Sequence, residues 1–322
     1  MISLRFVMPS LRRVSAIALN TYREAIRARL LLSLLGLSSC LSIYSIFLAA
    51  LTLHQESRAV ADIGAFSVSA FSIAIAISLG ATSLYRELEL KTIFPILSRP
   101  LSRAEYVVGK FAGTALTLLA FNLLQSSIVV HLLAYELGTS PLYVLGSFAF
   151  SGILGAILFF RAKHHWVYLA LFVFLLSLVQ GLLLYRVTST YSADLSLFLH
   201  LSVLAFFESS IVAAIATLFS SFSSPFLTAG FSAGLFFVGR SADTLAHLPV
   251  KQFGESIGAF GRGLARVVPN LQLFVPPRPI LLGALPGQSP MLYTLRCCGY
   301  ASLIVLVVVT LAAVLFRKRD FQ

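Results

Sequence analysis

Eight long apolar runs, seven of them free of charged residues, constrain the fold of this chain more than any other feature of its sequence. The first run, 30–53, has 24 residues and contains no Asp, Glu, Lys or Arg. A helix needs about 20 apolar residues to cross a bilayer. The runs therefore predict eight transmembrane helices, at 30–53, 63–85, 111–135, 142–160, 166–185, 195–220, 225–239 and 297–316.

The composition excludes a soluble globule of this size. Hydrophobic residues make up 58% of the 322 positions and charged residues only 11%, which leaves too little polar surface to face water. We expect an all-α integral membrane protein, a polytopic bundle in which residues 30–322 form one transmembrane domain.

The seventh run, 225–239, is the weakest of the eight. Its 15 residues cover only about 22 Å at 1.5 Å per residue. The helix must therefore continue past Arg240 or lie where the bilayer is thinned against neighbouring helices.

The distribution of Lys and Arg predicts the orientation. With both termini in the cytoplasm, 16 of the 24 basic residues fall on the cytoplasmic side, as the positive-inside rule requires. We expect a multi-pass protein of the bacterial inner membrane.

A charged segment, 86–110, joins the second and third predicted spans. Its basic excess marks it as cytoplasmic, and it carries an apolar patch between acidic and Pro-Arg flanks. This sequence, RELELKTIFPILSRPLSRAEYVVGK, resembles the cytoplasmic coupling segment of ABC-2 type ABC transporter permeases. The elements that carry the resemblance are Glu87, Glu89, Thr92, the apolar stretch from Ile93 and Phe94 to Leu97, Pro100 with Ser102 and Arg103, and then Gly109 and Lys110. Arg99 adds to the charge that flanks the patch.

The resemblance implies that these residues form a coupling helix that docks onto a separate ATP-binding subunit. The patch would fill a groove of that subunit, and the flanking charges would set its orientation. The chain itself contains no G-x-x-x-x-G-K-[ST] motif, so it cannot cradle ATP phosphates as a P-loop does. ATP and Mg²⁺ would then be bound by the partner, and a second permease copy would complete the path, most simply as a homodimer.

A second resemblance lies in the long outer segment, 240–296. The sequence VVPNLQLF, with Pro269 and Asn270, is similar to an outer-loop element of ABC-2 permeases associated with multicopper and nitrous-oxide reductase maturation. The family implies export or mechanical signalling across the membrane. An accessory protein at the outer face is a further expectation of this resemblance.

Three other segments carry structural predictions. Residues 1–29 read as an amphipathic elbow helix on the inner membrane surface, and 141–187 as a transmembrane hairpin added to a six-span family plan. Within 240–296, Phe253, Ile257, Phe260, Leu264 and Val267 recur at helical spacing. This pattern predicts a helix lying flat on the membrane, as a lid over the bundle or as a gate.

Glu208 is the one acidic residue well inside a predicted span. Such a group costs about 2.5–3.5 kcal/mol to insert, so it needs a partner, and His200, His131 and Gln125 are the candidates by residue type. Glu208, His131 and His200 then define either a translocation path or a packing interface. An ion-coupled transporter or channel that titrates Glu208 is the alternative function.

No residue pattern predicts a catalytic or metal site. Cys40, Cys297 and Cys298 fall in or at spans without ligand spacing, and His164 and His165 are adjacent rather than four apart. An intramembrane enzyme would need a paired catalytic constellation, which no spacing indicates. We therefore expect no cofactor in this chain, no nucleic-acid partner and no enzymatic activity of its own.

Overall fold

The computed structural model describes residues 4–52, 55–83, 102–162, 166–188, 193–248, 254–284 and 289–317. Within these ranges all regular structure is helical, which confirms the predicted all-α membrane class. The helices are α1 (Leu4–Arg27), α2 (Arg29–Ala49), α3 (Glu56–Ser83), α4 (Arg103–Glu136), α5 (Pro141–Ala162), α6 (Trp166–Thr188), α7 (Ala193–Ser220), α8 (Pro225–Arg240), α9 (Ala242–Ala246), α10 (Glu255–Val267), α11 (Arg278–Leu281) and α12 (Pro290–Arg317).

Several helix starts follow directly from the local sequence. Pro225 and Pro290 open α8 and α12, because proline lacks only an amide that the first turn leaves unbonded. Ser102 and Glu105 close a capping box at the start of α4: the Glu105 amide donates to Ser102 Oγ and the Ser102 amide to a Glu105 carboxylate oxygen. These residues explain why α4 begins eight positions before the predicted span.

Six helices in the described part of the chain have the length and apolar composition to cross a membrane: α2, α3, α4, α5, α7 and α12. Residues 170–186 of α6 form a shorter apolar helix. The described parts of the predicted runs thus lie almost entirely on helices, while the transmembrane count of eight stays a prediction.

Of the two alternatives for the seventh span, continuation of the helix past Arg240 is wrong, and a locally thinned bilayer stays a prediction. Helix α8 has 16 residues and ends at Arg240, and Ser241 caps it outside helical geometry before the short α9 begins. At 1.5 Å per residue α8 is about 24 Å long.

The contacts divide the chain into two compact units. The first comprises Met1–Ser15, Ala76–Phe111 and Phe207–Gln322, and the second comprises Ala16–Ile75 and Ala112–Phe206.

Polar side chains join the helices of the second unit. Nε2 of Gln125 on α4 donates to the Ser38 carbonyl at 3.1 Å and to Ser42 Oγ at 2.8 Å on α2. Asn122 Nδ2 donates to the carbonyl of Ser202 on α7 at 3.0 Å. Such bonds hold membrane helices together where hydrophobicity alone gives no preference.

The predicted hairpin at 141–187 falls on helices α5 and α6, and its role as an addition to a six-span plan stays a prediction. Ser151 on α5 donates to Oε1 of Gln180 on α6 at 2.7 Å. The apolar core of this unit includes Val129, Val130, Leu133, Tyr185 and Phe198.

The described part of the N-terminal segment is helical from Leu4 to Arg27. Ala28 is extended, so α2 starts as a separate helix. Ala18, Thr21, Tyr22 and Ala25 of α1 are buried, and Tyr22 packs against Ala120 of α4. Burial raises the pKa of the Tyr22 hydroxyl above its usual value, so it stays neutral. The predicted apolar face exists, and the elbow role stays a prediction.

Candidate functional site

The predicted docking residues fall mostly outside the described part of the chain. Those outside it are Glu87, Glu89, Thr92, Ile93, Phe94, Leu97, Arg99 and Pro100. Arg103 is described and is the first residue of α4.

The exit of the 86–110 segment is held by three contacts within the first unit, which we call the α4 anchor. The capping box fixes Ser102 against Glu105. Nη1 of Arg103 donates to the carbonyl of Arg317 at 3.0 Å, at the C-terminal end of α12. This end of a helix carries partial negative charge, so the guanidinium is well placed.

The third contact of the anchor comes from α1. Nη1 of Arg13 lies 3.8 Å from Oε2 of Glu105. The Arg13 side chain is 39% exposed, so this pair stabilises by less than about 1 kcal/mol. The pair therefore contributes more to the orientation of Arg13 and Glu105 than to the stability of the fold.

Aromatic packing continues the α4 anchor one turn into the helix. The rings of Tyr106 on α4 and Phe316 on α12 stack at 6.2 Å, and both side chains are fully buried. Lys110 Nζ lies 5.9 Å from the Tyr106 ring centre. The start of α4 is thereby attached to the end of α12 through both polar and apolar groups.

A second polar centre surrounds Glu208. Nε of Arg240 donates to Oε1 of Glu208 at 2.6 Å, and Nη2 donates to Oε2 at 2.9 Å. Glu208 is fully buried, whereas the Arg240 side chain keeps 26% of its exposure. The Arg240 guanidinium also lies 5.5 Å from the ring centre of Phe236, within the range of a cation–π contact.

The partner that the structure shows for Glu208 is Arg240 of the same unit, which was not among the candidates named by residue type, His200, His131 and Gln125. The short loop 221–224 folds α8 back along α7, as the Phe219–Phe231 ring contact at 5.5 Å also shows. Because Glu208 and Arg240 lie at similar distances from this loop, the hairpin brings them together.

The Pro269–Asn270 element forms a compact turn in the first unit. Asn270 Nδ2 donates to Asp243 Oδ1 at 2.7 Å, and Asn270 Oδ1 accepts from the Gln272 amide at 3.0 Å. The Asn270 amide donates to the hydroxyl of Tyr300 on α12 at 2.9 Å. Asn270 thus joins α9 and the turn through its side chain, and α12 through its backbone amide.

The same turn is fastened to the end of α8. The Leu271 amide donates to the Gly239 carbonyl at 3.0 Å. A Cβ at Gly239 would lie 2.8 Å from the Pro269 carbonyl oxygen, so only glycine permits this approach. Arg240 follows immediately, and the Asn270 turn therefore lies one residue from the Glu208 ion pair. No sequence pattern indicated that the two features adjoin.

His131 lies between α4, α5 and α6 in the second unit. Its ring is fully buried, Nδ1 contacts the Ser127 carbonyl at 2.7 Å, and the Phe148 ring centre is 4.2 Å away. Nε2 has no hydrogen-bond partner among the described residues. His200 is half-buried on α7. The shared role of Glu208, His131 and His200 in a path or an interface stays a prediction.

The described residues contain no group of three or more His, Cys, Asp or Glu side chains placed to hold a metal ion. Cys40, Cys297 and Cys298 are free thiols.

Comparison with known families identifies the chain. The family model described as ABC-2 family transporter protein matches residues 18–321. No curated protein matches the sequence. The family match includes every predicted span, the 86–110 segment and the α4 anchor from Ser102 onward. The chain is a multi-pass membrane protein that belongs to the ABC-2 family of transporter proteins.

Proposed function

We propose that the chain is a permease subunit whose transport cycle is driven by ATP hydrolysis in a separate subunit, and that it works as an exporter. The observation that carries this proposal is the family match over residues 18–321. The absence of a P-loop motif in the sequence agrees with it, since nucleotide chemistry then requires another chain.

The 86–110 segment is the proposed contact with the ATPase subunit. The apolar patch consists of Ile93, Phe94, Ile96 and Leu97. The flanking charges are those of Glu87, Glu89, Arg99 and Arg103. Aromatic and aliphatic anchors of this kind dominate interface energetics when a pocket excludes water around them.

The α4 anchor supports a mechanical role for this segment. When the docked segment moves, Ser102 moves with it. Because the capping box bonds Ser102 to Glu105, the start of α4 should move as well. Arg103 and the Tyr106–Phe316 stack join that start to the end of α12. Closure of two ATPase subunits would therefore move α4 and α12 as one element.

Two copies of the chain are proposed, with both termini in the cytoplasm of a bacterial cell and the bundle in the inner membrane. The charge distribution supports this orientation, because 16 of 24 basic residues then face the cytoplasm. A homodimer supplies the second half of a path that lies on a two-fold axis.

The ion-coupled alternative has less support. Its titrating group would be Glu208, which the structure holds in a two-point pair with Arg240. This pairing gives the buried carboxylate a structural role, as one half of a hydrogen-bonded ion pair.

Co-purification tests the proposal. Tagged chain extracted from native membranes should carry an ATP-binding subunit in fixed ratio, and replacement of Ile93, Phe94 and Leu97 with serine should remove it. Phe66, which is exposed on α3, provides a matched control through Phe66→Ser. If the purified chain transports substrate in liposomes without ATP or any other subunit, the proposal fails.

A further inference from the structure

Helix α8 ends beside the middle of α7 rather than at its far end. Helix α7 has 28 residues and α8 has 16, which correspond to about 42 Å and 24 Å. The ion pair joins Arg240, the last residue of α8, to Glu208, which lies within two residues of the middle of α7. Because α7 is long enough to cross a membrane, α8 ends well inside the bilayer.

Helix α12 gives a second measure of this depth. The Asn270 amide donates to the hydroxyl of Tyr300 at 2.9 Å, and Tyr300 lies within the charge-free run 297–316 of α12. The Leu271 amide donates to the Gly239 carbonyl at the end of α8. The turn at 268–271 is therefore bonded to two elements at hydrocarbon depth, and it lies inside the core of about 30 Å that a membrane helix crosses.

The polar groups beside this turn are exposed. Residues 268–271 are outside any helix, and Asp243, Thr244 and Gln272 are exposed. Asp243 Oδ1 accepts from Asn270 Nδ2 at 2.7 Å, which places the carboxylate at the turn. Non-helical backbone and charged side chains occur at this depth where protein or water surrounds them, and not among acyl chains. The exposed side of the turn therefore requires water.

We propose that a water-filled cavity opens from the outer face and reaches the Asn270 turn, with Asp243, Thr244 and Gln272 on its wall. The Glu208–Arg240 pair lies at its inner end. The ligand that such a wall fits is a water-soluble solute with hydrogen-bonding groups, not a lipid. The use of this cavity as the outer half of a transport path rests on the proposed permease function, whereas its accessibility to water does not.

Cysteine labelling from the outer side tests the proposal. The three native cysteines are replaced by serine, and Gln272→Cys or Thr244→Cys is introduced into the full-length chain in spheroplasts. One probe is a trimethylammonium methanethiosulfonate, which does not cross the membrane, and the other is N-ethylmaleimide, which does. Leu303→Cys is the matched control, because Leu303 is 62% exposed and lies one turn from Tyr300 on α12. Thermal unfolding in detergent checks that each variant is folded.

The two cavity positions should react fastest. Gln272→Cys and Thr244→Cys should react with the charged probe about tenfold faster than Leu303→Cys, or more, because the reactive thiolate forms in water and not among acyl chains. The chain without cysteines should not react. The charged probe added to inverted vesicles, from the cytoplasmic side, should label neither cavity position.

Three results would overturn the proposal. If N-ethylmaleimide but not the charged probe labels Gln272→Cys and Thr244→Cys, the turn faces lipid. If neither probe labels them, a second copy of the chain or another part of this one covers the turn. If Leu303→Cys reacts as fast as they do, the turn lies outside the bilayer. Labelling needs neither ATP nor an ATPase subunit, so these results leave the proposed permease function standing, and failed co-purification leaves the cavity standing.

Discussion

Arg240 and Glu208 lie 32 positions apart in the sequence and form a two-point ion pair within the first unit. The pair connects the last residue of α8 to the middle of α7, beside the turn built on Asn270. It offsets the cost of burying a carboxylate and fixes how α8 lies along α7.

Removing one partner of this pair should destabilise the protein more than removing both. Arg240→Met leaves a buried charge, which costs about 3 kcal/mol, the lower end for such pairs because Arg240 is partly exposed. Glu208→Leu combined with Arg240→Met should recover most of that loss. Thermal unfolding of the three proteins in detergent measures this order, and a double variant less stable than Arg240→Met would contradict it.

The Asn270 turn gives a second prediction. Asn270→Ala removes the bond to Asp243 and the bond from the Gln272 amide, for a loss of about 2 kcal/mol. Hydrogen exchange at the Leu271 and Phe274 amides should then accelerate. Asp243→Ala is the control, because it removes the bond from Asn270 Nδ2 and leaves the bond from the Gln272 amide in place. Unchanged exchange in Asn270→Ala would show that the turn does not depend on this side chain.

Packing around His131 gives a third prediction. A Cβ at Gly181 on α6 would lie 2.8 Å from the His131 ring, so Gly181→Ala should destabilise by about 1–3 kcal/mol through overpacking. His131→Ser should suppress much of this effect by making room. Gly155→Ala on α5 is the control, because the nearest atom there is 3.5 Å away. Thermal unfolding again provides the measurement, and equal midpoints for the two alanine variants would refute the close approach.

The α4 anchor gives a fourth prediction. Ser102→Ala should cost about 1 kcal/mol through loss of the cap, and Ser102→Thr should retain most of it. With the ATPase subunit bound, Ser102→Ala should reduce the amount of substrate transported per ATP hydrolysed while hydrolysis continues. The reason is that the docked segment is then held less firmly to the start of α4. A proportional loss of both rates would assign the capping box to folding alone.

The sequence was sufficient to predict an all-α membrane protein. In lipid, a long apolar run can satisfy its backbone hydrogen bonds within itself only as a helix. Helix boundaries were less accurate, since a charge-free criterion stops at Arg296 and Lys110, whereas α12 starts at Pro290 and α4 at Arg103. Charged residues near a helix end are tolerated there, and acidic ones such as Glu105 favour an N-terminus.

The partner of Glu208 could not be predicted for a related reason. Arg240 ends an apolar run, so the sequence suggested that it begins a solvated loop. In the structure the chain reverses at 221–224, and α8 ends at Arg240. The Arg240 side chain therefore lies beside Glu208. Residue type favoured the histidines, but the hairpin geometry decided the pairing.

ATP hydrolysis by the complex tests the central claim most directly, with the chain and its ATPase subunit together in nanodiscs. Phe94→Ala should lower the substrate-stimulated rate by about tenfold or more, as loss of an interface anchor does. Phe47→Ala, at an exposed position of α2, should leave the rate unchanged. A stimulated rate for Phe94→Ala equal to that of the unaltered complex would contradict the claim that this segment transmits force from an ATPase subunit.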